Sequence, residues 1–335
     1  MRAISTWRHV TPEIFHQQIR PAGVPAVLKD VVSDWPIVRT GGAAAIAYLA
    51  TLATAEPVPV VRAPPEALGR LHYDDELKAL NFARGPAPLD QFLKALLAEA
   101  AKPAPDTLCV QGLGAPRHLP GFEAAHPFAL PPSAAIPRLW IGNAAKVATH
   151  HDPSENIACV AAGRRRFTLF APDQIGNLYM GPFHLTPAGT PVSMVHVDAP
   201  DLERFPRFAA ARDAALVAEL EPGDGLYIPY QWYHHVEARD ELNVLVNYWW
   251  DEARDDIGSP FDALMHGMMT LRNLPADQRR AWQAMFEHHV FLADQDPAAH
   301  LPPHARGILD ASAPQDITRM RRALIANLRQ ADPKD

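Results

Sequence analysis

Two stretches hold side chains whose types and spacing could bind a redox-active metal. His150-His151-Asp152 lies at the head of THHDPSENIACVAAGRRRFTLFAP, and Trp232-Tyr233-His234-His235 lies near the end of GDGLYIPYQWYHHVEA. On an extended strand alternate side chains share a face, so His150 and Asp152 point one way and His151 the other. A third imidazole from the second stretch would complete two histidines and one carboxylate on one side of a metal, leaving the opposite positions open. That facial set is the ligand arrangement of non-haem Fe(II) oxygenases. Alternation says only that His234 and His235 point opposite ways, so the third ligand stays open on this ground. An H-x-D alone is weak, because the two residues fall two apart by chance in many chains. Its place in a long apolar run, with the second stretch following an apolar strand, favours a metal over a surface pair.

A carboxylate-bearing co-substrate held beside such a metal needs a cation. Arg164, Arg165 and Arg166 follow Gly163. On a strand, Arg165 shares its face with Phe167 and Leu169, and Arg164 and Arg166 share the other with Thr168 and Phe170; alternation does not say which face lines a cavity. The bland reading of the triplet is a solvated sheet edge. Asn156 has the parity of His150 and Asp152, and Asn247 sits on the apolar run NVLVNYWW, where a buried amide wants a hydrogen-bond partner.

The elements that must position these residues follow from the pattern. Residues 138–142, 147–160, 165–170, 192–197, 215–220, 225–228, 234–237 and 243–249 read as short strands punctuated by Gly and Pro, the spacing of a barrel or sandwich. Upstream, residues 11–19, 43–52 and 89–98 read as helices and 25–32, 58–61 and 107–111 as strands. Residues 176–191, rich in Gly and Pro, read as a long loop that could cover a barrel mouth or be a plain surface excursion. His72 and Tyr73 read as packing or surface residues. Beyond Asp251 the period becomes helical: Phe261, Leu264, Met265, Met268 and Met269 share one stripe, Trp282, Met285, Phe286, His289 and Val290 a second, Ile317, Met320, Leu324, Ile325 and Leu328 a third.

Composition narrows the classes. The chain has 335 residues, 48% of them hydrophobic, and a formal net charge of −7. The length supports a large core, and the charge offers no basic footprint for a nucleic-acid backbone, so RNA is disfavoured as a substrate. No run of apolar residues is long enough to span a membrane, and the first residues lack the pattern of a signal peptide, which gives a cytoplasmic expectation. Cys109 and Cys159 lack C-x-x-C spacing and read as small core residues.

On H-x-D-P-x-E-N, G-R-x-R-F-x-L-F-x-P, G-D-x-L-Y-I-P and W-x-H-H-V-E, the chain resembles the cupin-like, JmjC-type Fe(II)/2-oxoglutarate oxygenases, the family that includes the asparaginyl hydroxylase that inhibits hypoxia-inducible factor. The motifs cover residues 138–250, and the likeness extends more loosely to the D-W-P segment and the C-terminal helices. The resemblance implies a mainly β fold: a double-stranded β-helix (jelly-roll or cupin) core with an N-terminal α/β flank and C-terminal helices. It implies His150, Asp152 and His234 as Fe(II) ligands and catalytic residues, with His235 behind them. Asn156 and Asn247 come beside the 2-oxoglutarate, and Arg165 stands where the hydroxylase has a lysine that binds the distal carboxylate. Val147 replaces a carboxylate-binding threonine of that enzyme, and Thr149 or Tyr227 could compensate. The expected organisation is an oxygenase domain over residues 1–255 and a helical region over 256–335 able to form a homodimer. The expected activity uses Fe(II), 2-oxoglutarate and O2 to hydroxylate a protein or peptide side chain or a small molecule. Its rivals are a metal cupin of another class, an isomerase or hydrolase, and a non-catalytic metal-binding module.

Overall fold

β-Branched and aromatic runs broken by Gly and Pro build the first of two compact units, Met1–Asp251 and Glu252–Asp335. The computed structural model describes residues 1–291, 296–310 and 314–331. In chain order the strands are β1 (Arg2–Ala3), β2 (Ser5–Trp7), β3 (Ala26–Leu28), β4 (Pro57–Ala63), β5 (Arg70–Leu71), β6 (Ala83–Pro88), β7 (Thr107–Gly114), β8 (Pro137–Gly142), β9 (Lys146–His150), β10 (Glu155–Ala162), β11 (Arg165–Phe170), β12 (Leu216–Leu220), β13 (Gly225–Ile228), β14 (Tyr233–Ala238) and β15 (Asn243–Trp250). They form a six-stranded sheet, β1-β12-β11-β14-β9-β5, and a nine-stranded one, β2-β3-β13-β10-β15-β8-β7-β4-β6. The unit is mainly β with a jelly-roll core. Pairing is antiparallel except at β1–β12, β2–β3 and β5–β9.

Strand alternation distributes the core into layers. Between the sheets, Phe167, Leu169 and Val236 from one meet Ala158, Val160, Leu226 and Leu245 from the other. On the far side of β10, Ile157, Cys159 and Ala161 pack on Phe15, Ile46, Leu49 and Phe92 of the N-terminal flank. Both faces of β10 are therefore buried, which is why its sequence is a continuous apolar run rather than an alternating one. A third layer covers the outer face of the six-stranded sheet, where Phe170 and Tyr233 meet Leu178, Val195, Val197 and Phe208.

Several boundaries differ from the sequence pattern. The expected long strand over 147–160 is two strands, because the chain leaves the six-stranded sheet after His150 and enters the nine-stranded one at Glu155. Pro153 lies in the crossing and cannot donate to a ladder. Residues 192–197 are not a strand. Only the single bridge Met180–Ser193 forms there. The Ser193 hydroxyl donates to the Leu178 carbonyl and accepts from the Val195 amide, and such local bonding competes with a ladder. The strand expected over 25–32 is only Ala26–Leu28, and residues 11–19 form one helical turn, capped by Thr11, that continues as a π-helix. Strand β6, ARGPAP, carries no pattern signal, since its prolines are tolerated only because it is an edge.

Turn chemistry fixes the strands that matter for the site. Gly163 joins β10 to β11 at φ +69, and a side chain there would collide with Asn243 and the Leu242 carbonyl. Gly223, at φ +99, precedes Asp224, whose buried carboxylate binds Lys29 and the amides of Asp30 and Glu221. The G-D of GDGLYIP is thus a clamp on the entry to β13 rather than a group facing the site.

In the second unit the helical stripes lie on Pro260–Leu271, on Ala276–Phe286 with the π-helix Glu287–Phe291 that carries His289 and Val290, and on Pro314–Ala331. Leu264, Met265, Met269, Trp282, Met285, Leu324, Ile325 and Leu328 are exposed. Among the described residues no helix is long and apolar enough to cross a membrane.

Candidate functional site

The antiparallel register of β14 with β9 sets His234 opposite His150, with ring centroids 4.4 Å apart. Asp152, beyond the end of β9, reaches the same point: its Oδ2 is 3.6 Å from His234 Nε2. Ligand atoms of His150, Asp152 and His234 all lie within 4.8 Å of one another. Asp152 shares this side through the crossing between sheets, not through strand alternation as its spacing suggests.

The donor set fits a metal. His150 Nδ1 lies 2.9 Å from the Ala148 carbonyl and His234 Nδ1 3.1 Å from that of Trp232. A carbonyl only accepts, so each ring carries its proton on Nδ1 and turns an Nε2 lone pair inward. Burial, then the charge of His150, pull His234 down to about 4, which keeps it neutral and able to coordinate at neutral pH.

The next residues point elsewhere. His151 packs against Tyr233 at 5.1 Å, and His235 Nε2 is 3.7 Å from Glu237 Oε1 on the outer face of the six-stranded sheet. The His235 imidazole beside it lowers the Glu237 carboxyl. His72, also buried, binds the Ser193 carbonyl through Nε2.

His150, Asp152 and His234 open into a cavity of about 350 Å³ that Val147, Asn156, Arg165, Phe167, Trp140, Asn247 and Trp249 also line. Of the arginine triplet, Arg164 pairs with Asp240 and Arg166 with Glu219, whereas Arg165 turns inward. The Arg165 guanidinium is buried, its Nε has no hydrogen-bond partner, and among the described residues no carboxylate pairs with it. Burial lowers it to about 10, so it remains charged at neutral pH. Cys109 nearby gives no compensation, because burial raises that thiol to about 12. Asn247 Nδ2 donates to Asn156 Oδ1 at 2.9 Å, and Asn247 Oδ1 is buried without a partner. An unpaired buried cation and an unsatisfied amide in one cavity mark places that an anionic, hydrogen-bonding ligand would satisfy.

Thr149 and Tyr227 are corrections to the sequence reading, since neither lines this cavity. Thr149 precedes His150 on β9 where the pairing with β14 shifts register between Val147 and His150, and its side chain is fully buried outside the lining. Tyr227 donates to Glu155 Oε2 at 2.6 Å and packs on Phe15 in the flank core. Lining residues that the sequence reading passed over are Arg84, Gln111, Gly112 and Pro187–Gly189. The loop over 176–191 gave a hint of the last group; the others lie on strands whose order in the sheet no local pattern reveals.

With this geometry in hand, residues 12–256 match the cupin-like domain family. The chain belongs to that family. Its relatives of this JmjC-type fold include lysine-specific demethylase JMJ31 of Arabidopsis thaliana, 35% identical over 33% of this chain and 20% of that protein. A second, tRNA wybutosine-synthesizing protein 5 of Danio rerio, is 28% identical over 74% of each chain. The human bifunctional peptidase and (3S)-lysyl hydroxylase JMJD7 is 27% identical over 73% of this chain and 83% of its own. The first match thus spans about a fifth of its relative's length.

The buried imidazoles make the metal-free cupin-like chain acid-sensitive. Burial holds His196 and His234 near 4, whereas histidines in the unfolded chain titrate near 6.5. Between those values the unfolded chain binds more protons, so stability rises with pH and is lost as pH falls from about 6.5 toward 4. Urea unfolding of metal-stripped protein should show a lower midpoint at pH 5 than at pH 7; equal midpoints would contradict the assignment.

Proposed function

We propose that the protein is an Fe(II)- and 2-oxoglutarate-dependent dioxygenase that hydroxylates a protein or peptide side chain or a small molecule, with succinate and CO2 as co-products. The observation that carries this reading is the buried, unpaired Arg165 guanidinium in one cavity with His150, Asp152 and His234. A metal cupin of another class would need the three ligands but not the cation. The net charge of −7 favours protein or small-molecule substrates over RNA, although one relative's name includes tRNA.

Each residue has a part. His150, Asp152 and His234 would hold iron from one side, with both imidazoles oriented by their Nδ1–carbonyl bonds. Bound iron supplies oxygen-activating redox chemistry, with 2-oxoglutarate as the co-substrate that is decarboxylated. Arg165 anchors the distal carboxylate of 2-oxoglutarate through charge-assisted hydrogen bonds. Asn156 and Asn247 lie beside that co-substrate, Asn156 oriented by the amide of its neighbour. Phe167, Val236 and Leu245 line the apolar wall and exclude water.

The ligand assignment carries its own controls. Alanine at His150, Asp152 or His234 should abolish iron retention and the slow conversion of 2-oxoglutarate to succinate, measured by metal analysis and mass spectrometry. Alanine at His151 or His235 should keep the metal, with at most about a 10–100-fold loss in affinity from a group behind the ligands. Loss of iron in His235→Ala with retention in His234→Ala would reverse the third ligand.

Arg165→Met should raise the 2-oxoglutarate requirement by about 2–5 kcal/mol in binding free energy, the usual cost of stranding one partner of a buried charge pair. Calorimetric titration with 2-oxoglutarate reads this directly, and wild-type affinity would move the role to another residue.

The exposed apolar residues of the second unit support a homodimer through its helices, since symmetric pairs are the commonest way to cover such stripes. Light scattering at micromolar concentration should give twice the chain mass, and Leu324→Glu with Leu328→Glu should halve it.

A further inference from the structure

The outer wall of the cavity carries polar groups that neither the metal ligands nor Arg165 explains. Arg84 of β6 and Gln111 of β7 line it with Pro59, Trp140 and Gly189. Gln111 stands there because the register of β7 against β8 shifts between Val110 and Leu113, with Gly112 at φ +70. Such a bulge re-aims a side chain, and among the described residues the Gln111 amide has no hydrogen-bond partner. Arg84 is held on two sides: its guanidinium lies 5.2 Å from the Phe82 ring centroid and donates through Nη2 to the Pro187 carbonyl. No carboxylate pairs with it among the described residues, and its remaining N–H groups are free for a fork-shaped grip on a carboxylate. Outward, Pro57, Pro59, Arg84 and Pro86 line a groove that shares Pro59 and Arg84 with the cavity.

We propose that Arg84 and Gln111 form a substrate subsite for an extended acidic polypeptide segment, in which an Asp or Glu side chain binds Arg84 while a neighbouring residue enters the cavity toward His150, Asp152 and His234. The direction of entry rests on the oxygenase reading; the binding does not. Charge complementarity chooses the occupant: Arg84 is the one charged side chain of the outer wall, and Asp152, the one carboxylate among the lining residues, stands with the metal ligands. A nucleic-acid backbone would call for a track of several cations, and the wall supplies a single outer arginine.

The test is direct binding, with no iron or 2-oxoglutarate added. Fluorescein-labelled decapeptide pools, random at the centre and flanked by Asp/Glu, Asn/Gln or Lys/Arg, are titrated with the full chain and followed by anisotropy. The acidic pool should bind roughly tenfold tighter than the amide pool, the effect of one charge-assisted hydrogen bond, and the basic pool weakest. Arg84→Glu should invert that order, with an unchanged circular dichroism spectrum and melting temperature showing that the exposed position tolerates the change. Arg117→Gln, at an exposed ion pair with Glu56, removes a charge that is not among the cavity residues and should preserve the acidic preference. Equal binding of the pools, an acidic preference that survives in Arg84→Glu, or tighter binding of decauridine than of the acidic pool would overturn the proposal. Failure of wild-type protein to convert 2-oxoglutarate when iron is supplied would sink the oxygenase reading alone, so the two fail separately.

Discussion

The pairing of His234 with His150 across β14 and β9 is the constraint on which the rest of the site depends. Side-chain direction in a strand has a period of two, so a slip of one residue would replace His234 by His235 and turn the inward imidazole out. The register is held at both ends of the layer. On the other side of β14, Leu169 of β11 faces His234 and Phe167 faces Val236, so the same slip would expel apolar side chains from between the sheets. Ligand geometry and core packing are therefore enforced by one alignment, and a chain that folds has little freedom to misplace the imidazoles.

Electrostatics adds an opposite demand. The fold spends packing energy to hold a guanidinium, a partnerless amide oxygen and two imidazoles around one space. A buried unpaired charge is destabilising until something pairs with it. The surrounding apolar layers, and clamps such as Lys29–Asp224 at the entry to β13, make that tolerable. The site is pre-organised for a ligand because the scaffold around it is over-determined.

Much of this was legible in the sequence where a local rule applied. Alternation put Arg165 on the face opposite Arg164 and Arg166, and the structure shows that face turned inward. The helical stripes after Asp251 fall on helices. What stayed hidden was non-local. Asp152 joins His150 because the chain changes sheets at Pro153, which periodicity cannot express. His234 and His235 are equivalent until a partner strand supplies register, so spacing alone left that choice to family resemblance. Arg84 and Gln111 reach the cavity only through the order β8-β7-β4-β6, and β6 itself, with Gly85, Pro86 and Pro88, reads as loop. Thr149 and Tyr227 went astray for the same reason: their types suited a carboxylate, but Thr149 is buried outside the lining at the irregular β9–β14 pairing, and Tyr227 has a Glu155 partner.

The prolines of that outermost strand have a bearing on how the protein behaves at high concentration. Pro86 faces Pro59 and Pro88 faces Pro57 across the antiparallel ladder. Positions opposite a residue without an N–H exchange no hydrogen bond with it, so Pro86 and Pro88 turn their own hydrogen-free nitrogens to the open margin of the sheet. An arriving strand, whether from a second copy or a misfolded neighbour, finds acceptors there but few donors. The protein can thus leave the rim of a largely apolar chamber accessible while withholding the template on which fibrous polymerisation grows.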